Sequence, residues 1–159
     1  MIKRYRCATD SITEFVGENN INAHTLGVHL RLTDMNTVHP EYGHVTIEKY
    51  ISATRTYLES HSDIKNIFVS SDNDESIRIF ESNFPDYKVV SYTDGIRCTS
   101  SRDDNYQFQL RNLSDPTFLQ KITIEALILS KCGALIHRIS DYANFAILFS
   151  NTYTDIICI

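Results

Sequence analysis

The chain alternates between two hydrophobic periods. In "TLGVHLRLTD", residues 25–34, Leu26, Val28, Leu30 and Leu32 recur at every second position, as in a strand. "NIFVSS", "YKVVSY", "ALIH" and "DIICI" are four more short apolar runs of strand type. Between them the spacing changes to three and four. "ITEFVGEN" places Ile12, Phe15 and Val16 on one helical face. Within residues 41–60, Ile47, Tyr50, Ile51, Thr54, Tyr57 and Leu58 predict a helix. "SDNDES" supplies cap-type side chains and first-turn acids, and Ile77, Phe80 and Phe84 carry that helix to Pro85. Asp72 and Asp74 read here as cap and first-turn acids. "DPTFLQKITIEALILSKC" predicts a helix capped by Asp115, opened by Pro116 and stopped by Gly133. "SDYANFAILFS" predicts a short helix. The polar stretch 93–114 has no clear period, and loops of that length usually serve a function or move.

Strands separated by helices require parallel crossovers, so the pattern predicts a doubly wound α/β fold with a mainly parallel sheet. Strand 25–32 is expected at its centre, with Ile67–Val69 and Val89–Val90 on one side. No repeat, low-complexity tract or linker interrupts residues 1–159, which read as one domain.

Composition narrows the function classes. The 159 residues are 42% hydrophobic and 22% charged, with a net charge of −5 and no lysine/arginine-rich run. A nucleic-acid backbone is therefore not the expected partner. A phosphorylated small ligand needs only a few local donors and stays open. Cys7, Cys98, Cys132 and Cys158 form no CxxC pair and no Cys/His cluster with zinc spacing, which predicts reduced thiols and a cytoplasmic setting. No apolar run is long enough to span a bilayer.

The opening strand also carries polar residues. Gly27, His29 and Arg31 share its second face. Arg31 stands near the carboxyl end, where open α/β sheets bind their ligands. A guanidinium there can hold phosphate through two parallel hydrogen bonds, with Asp34 bracing it. A plainer reading is a surface ion pair of Arg31 with Asp34 beside a satisfied, semi-buried His29.

"GVHLRLTD" resembles the H-x-R-x-T-D signature of the α1,6-fucosyltransferase, nodulation-fucosyltransferase and protein O-fucosyltransferase group. The likeness continues in order through "HVTIEKYISATRTYLES", "IFVSSDNDESIRIFESNFPDYKVVSY" and "ITIEALILSKCGALIHRISDYANFAILFS", over roughly residues 20–150. The resemblance implies one half of a GT-B glycosyltransferase, a Rossmann-like domain that holds GDP-fucose. It implies that His29 and Arg31 meet the nucleotide, with Arg31 on the diphosphate, and that Glu125 reads guanine. Ser140, Asp141 and Tyr142 fall on the family's serine-bearing turn, where helix N–H groups can bind phosphate. The alternatives are a solvent-facing Glu125 and a Ser140 that only caps its helix.

The implied reaction moves fucose from GDP-fucose to a glycan or protein acceptor. Arg31 would offset charge on the departing β-phosphate without a metal or other cofactor. Glu41 and His39, in "TVHPEYGH", are the candidates for a general base, Glu41 being the catalytic choice beside Arg31. The family has a basic residue directly before the threonine, where this chain has Leu32. Only some two dozen residues precede the signature strand, so the family's amino-terminal domain is expected to be absent or supplied by a partner chain. A non-catalytic nucleotide-sugar module, or an α/β interaction domain without a ligand, are the competing readings.

Overall fold

The computed structural model describes residues 2–32, 44–95, 97 and 116–159. Helix α1 spans Ile2–Glu18, β1 Thr25–Leu30, α2 Ile47–Ser60, β2 Asn66–Ser71 and α3 Asp74–Ser82. Strand β3 spans Lys88–Val90, α4 Pro116–Leu129, β4 Ala134–His137, α5 Asp141–Phe149 and β5 Asp155–Cys158. The five strands form one sheet in the order β3-β2-β1-β4-β5, and every neighbouring pair is parallel. Strand β1 is central, with β2 and β3 on one side, as its apolar alternation predicts.

The buried apolar side chains of the strands divide between two helical layers. Leu26, Val28 and Leu30 pack with Ile67, Val69, Ala134 and Ile136 beneath Tyr50, Ile51 and Leu58 of α2 and Phe80 of α3. Phe68 and Leu135 enter the other layer, with Phe15 of α1, Ile124 and Ile128 of α4 and Ala146 of α5. All six residues of β1 are buried, as expected of a strand covered on both faces. The sheet is thus doubly wound, as predicted.

Helix α1 begins at Ile2, ten residues before the apolar face that predicted it. Residues 3–8 include lysine, arginine and alanine, which favour helix without a buried face. Its end is set by Asn20, whose φ of 54° is left-handed. Ile21 N–H donates to Val16 O at 2.9 Å and Asn20 N–H to Gly17 O at 3.2 Å, the paired bonds of a Schellman stop. Helix α2 begins at Ile47, and of its expected range residues 41–43 lie outside the described ones. Asp115 also lies outside them.

Gly133 does something other than the predicted helix stop. Helix α4 ends at Leu129, four residues earlier. Gly133 N–H donates to Thr25 O at 2.9 Å, and its carbonyl accepts from Thr154 N–H at 2.7 Å. A Cβ here would lie 1.8 Å from the Ala23 carbonyl oxygen. Only glycine lets the chain pass that closely between the starts of β1 and β5. Gly27 permits a softer approach: its Cβ would lie 2.8 Å from Leu129 Cδ1, a side-chain tip.

Gly133→Ala must therefore move backbone, whereas Gly27→Ala asks mainly for a leucine to turn. Denaturant titration should show Gly133→Ala losing roughly 1–3 kcal/mol or more, and Gly27→Ala losing less. The reverse order would contradict this account of the packing.

Candidate functional site at the carboxyl end of the sheet

The strand order reverses between β1 and β4, and such switch points open the ligand crevice of α/β sheets. The register brings His29 of β1 beside Ser70 of β2 and His137 of β4. One residue beyond β1, the Arg31 backbone N–H donates to the Tyr50 hydroxyl at 3.3 Å. Burial pushes that hydroxyl up to about 12, while the Arg31 backbone hydrogen bond and then the Arg138 charge pull the other way.

Arg31 Nη1 donates to Asp72 Oδ2 at 2.8 Å, with both side chains mostly covered. Among the described residues, Asp72 is thus a carboxylate that braces this guanidinium. It is not the cap of α3: the cap is Asn73, whose side chain accepts from Ser76 N–H at 3.0 Å, and Asp74 begins the helix. Asp34, His39 and Glu41 lie outside the described residues.

On the second face of β1 the polar groups form a chain. His29 is buried, and its ring stacks on Tyr142 with centroids 4.5 Å apart and planes 21° apart. Neither ring nitrogen has a hydrogen-bond partner among the described residues. Burial pushes the imidazole down to about 3, with the nearby Arg31 and His137 charges adding to the shift. The Ser70 backbone lies near enough to oppose this without meeting hydrogen-bond geometry. His29 is therefore neutral at ordinary pH. Ser70 Oγ donates to the Tyr142 hydroxyl at 3.0 Å. The Tyr142 hydroxyl is held well above its usual range, chiefly by burial and then by the Glu125 charge.

Glu125 projects from α4 into this layer with a side chain only 6% exposed. It is not a solvent-facing helix residue. Arg97 grips both its oxygens, Nη2 to Oε1 at 3.0 Å and Nη1 to Oε2 at 3.5 Å. The same Arg97 donates to Tyr92 O at 2.8 Å, and its Nε lies 3.3 Å from Asp74 Oδ1. Burial pushes the Glu125 carboxyl up to about 7, against the opposing pull of the Arg97 charge and hydrogen bonds.

The predicted serine-bearing turn is divided in its use. Ser140 caps α5, its hydroxyl accepting from Ala143 N–H at 3.1 Å, Asp141 is exposed, and Tyr142 joins the buried chain. The structure thus gathers His29, Arg31, Glu125 and Tyr142 at one end of the sheet. It adds Ser70, Asp72, Arg97 and Arg138, which the sequence reading did not single out as site residues. Arg138 follows β4 directly and is 1% exposed. Among the described residues no group of three or more His, Cys, Asp or Glu could hold a metal ion, and no helix is long and apolar enough to cross a membrane.

No family model matches the chain, and no curated protein matches it. Solved structures do. One of POFUT1, a protein O-fucosyltransferase, in complex with GDP-fucose superposes with a TM-score of 0.59 at 11% identity, over 95% of this chain and 46% of that one. A POFUT1 structure in complex with GDP gives 0.58 at 11% identity, over 95% and 47%. The apo form gives 0.56 at 10%, over 95% and 45%. The chain has the fold of these fucosyltransferase structures and spans a little under half of their length.

The two buried titrating groups impose opposite pH slopes. Folded Glu125 keeps a proton that the unfolded chain releases between about 4.5 and about 7. Its burial therefore favours folding below that window, and the benefit is lost as pH rises through it. Relative to Glu125→Gln, wild type should lose up to about 1.4 kcal/mol per pH unit across the window. His29 is neutral when folded but protonates below 6.5 when unfolded. Relative to His29→Phe, wild type should lose stability as pH falls from 6.5 towards 3. Urea titrations over pH 4–8 measure both differences, and parallel curves would refute the shifts.

Proposed function

We propose that this domain binds a GDP-sugar at the carboxyl ends of β1, β2 and β4 and serves as the donor-binding half of a fucosyltransferase-like glycosyltransferase. The observation that carries this reading is the position of Arg31: one residue beyond the central strand, beside the switch point and held in plane by Asp72. The fold shared with POFUT1 structures that contain GDP-fucose or GDP supports it.

In this reading Arg31 offers the diphosphate a planar fork. As the sugar–phosphate bond breaks, charge builds on the β-phosphate oxygen, and a fixed guanidinium stabilises that charge more than the ground state. Asp72 fixes its direction. Glu125 accepts from the two adjacent donors of guanine, N1–H and the 2-amino group. Neutral His29, locked by its stack on Tyr142, shapes the floor beneath the ligand. The start of α5 at Ser140–Asp141 offers N–H groups to phosphate. A general base, Glu41 or His39, belongs to residues outside the described ones. The acceptor is a glycan or a protein, and the donor sugar is fucose. A second reading is a module that binds nucleotide sugar without transferring it.

Calorimetry with GDP, GDP-fucose, UDP and ADP tests the reading. GDP and GDP-fucose should bind in preference to the other two, and equal binding of UDP would remove the guanine assignment. Arg31→Lys keeps the charge and loses the fork. It should weaken GDP binding by about ten- to a hundredfold, roughly 1.5–3 kcal/mol. A lowered melting temperature with unchanged GDP affinity would make Arg31 purely structural. Transfer of fucose by the chain alone would separate an enzyme from a binding module.

A further inference from the structure

The carboxylate assigned to guanine is already occupied by a side chain of guanine-like shape. A guanidinium presents two N–H donors side by side in one plane, and a carboxylate receives them on its two oxygens. The Watson–Crick edge of guanine, N1–H beside the 2-amino N–H, offers the same pair of donors. Arg97 makes this two-point contact with Glu125, at 3.0 and 3.5 Å.

We propose that Arg97 is a built-in stand-in for the guanine base, holding Glu125 in the free protein and yielding it to guanine when the nucleotide binds. The inference rests on the reading of Glu125 given above and adds the group with which the nucleotide must compete. Two features support an exchange over a permanent ion pair, and a third shows how the turn accommodates the closed contact. First, Glu125 is almost wholly covered, and a buried charge left without a partner is strongly unfavourable. While Glu125 is ionised, the pocket therefore needs a donor pair whether or not ligand is bound. Second, Arg97 has somewhere to go. Its Nε already lies 3.3 Å from Asp74 Oδ1, and the Asp74 side chain is 64% exposed. A guanidinium released from Glu125 stays paired there, in wetter surroundings. Third, the chain is shaped to let Arg97 fold back over its own turn. A Cβ on Gly95 would come within 2.1 Å of Arg97 Nη1 and 2.6 Å of its Cζ, so a side chain at that position would strike the guanidinium.

The consequence is competition inside one molecule. Apparent affinity falls by the fraction of molecules whose site is open, so a contact closed nine-tenths of the time weakens binding about tenfold. It also sharpens selection. Uracil has a single N3–H flanked by two carbonyls, and adenine puts an acceptor beside its amino group. Neither can replace both bonds of the guanidinium, so neither compensates for opening the contact.

Calorimetry with GDP at pH 8 on wild type, Arg97→Ala, Arg97→Lys and Glu125→Gln tests the inference. Arg97→Ala should bind GDP about tenfold more tightly than wild type. Arg97→Lys, which keeps the charge but offers no planar pair, should lie between them. Glu125→Gln should bind GDP more weakly than wild type. If Arg97→Ala does not fold, Arg97→Lys and the wild-type Arg97 Nε–H resonance, identified by its loss in the lysine variant, decide the matter. That resonance should shift on addition of GDP and not of UDP. Weaker or unchanged GDP binding in the Arg97 variants, with Glu125→Gln still impaired, overturns the stand-in and leaves the guanine reading in place. Failure of all four proteins to bind GDP, or undiminished binding by Glu125→Gln, overturns the guanine reading and the inference together.

Discussion

A central strand with no exposed residue governs this domain. Strand β1 is covered on both faces, so a polar side chain on it is costly unless it is neutral, partnered inside the protein or carried to the strand's end. On the first face there is no conflict, because Leu26, Val28 and Leu30 carry no polar side-chain group and join one apolar cluster. On the second face the sequence places Gly27, His29 and Arg31, and the surroundings are built around them. Gly27 lets α4 approach. His29 is buried as a neutral ring against Tyr142, which in turn takes a hydrogen bond from Ser70. Arg31 reaches the end of the strand and meets Asp72. The polar cluster at the carboxyl end is thus the continuation of one strand face, and the helices covering that face contribute Glu125 and Tyr142 to it.

Much of this was legible because buried parallel strands and amphipathic helices leave strong local patterns. "NIFVSS" and "ALIH" coincide with β2 and β4, and the alternation in "TLGVHL" located the central strand. Long-range pairing was less visible. The sequence offered Asp34 as a nearby ion-pair partner for Arg31 and gave no local sign of Asp72, which bonds it from 41 residues away. The signal was present in the register: Leu30 faces Ser71 across β1 and β2, so the next residues along are Arg31 and Asp72. That register needs the sheet order, which no local period gives. Gly133 misled in a similar way. A glycine after a helix suggests a stop, but its reason is a carbonyl from residue 23 passing 110 positions away in the chain. Arg97 stands in the aperiodic polar stretch, where residue type alone cannot say which arginine turns inward.

The Arg31–Asp72 and Arg97–Glu125 pairs at the carboxyl end differ in a way that matters for chemistry. The Arg31–Asp72 pair joins the ends of neighbouring strands, so its geometry is fixed by the sheet itself. A guanidinium held like this loses little freedom when a phosphate arrives, which suits a group meant to act on charge that develops during a reaction. The Arg97–Glu125 pair joins a helix in one layer to a residue beyond the edge strand β3. Its geometry rests on the bonds of the Arg97 side chain to the Tyr92 carbonyl and to Asp74. Glu125 is the anchored member, rooted in α4, and Arg97 is the one with an alternative partner. Charge neutrality inside the covered layer must hold both with and without ligand, and a mobile cation can meet that requirement where a fixed one cannot. On the proposed reading, the pair set by the sheet would serve the phosphate and the pair set by side chains would serve the base, because a nucleotide's phosphate charge needs a standing counter-charge while its base needs only a surface that can be vacated.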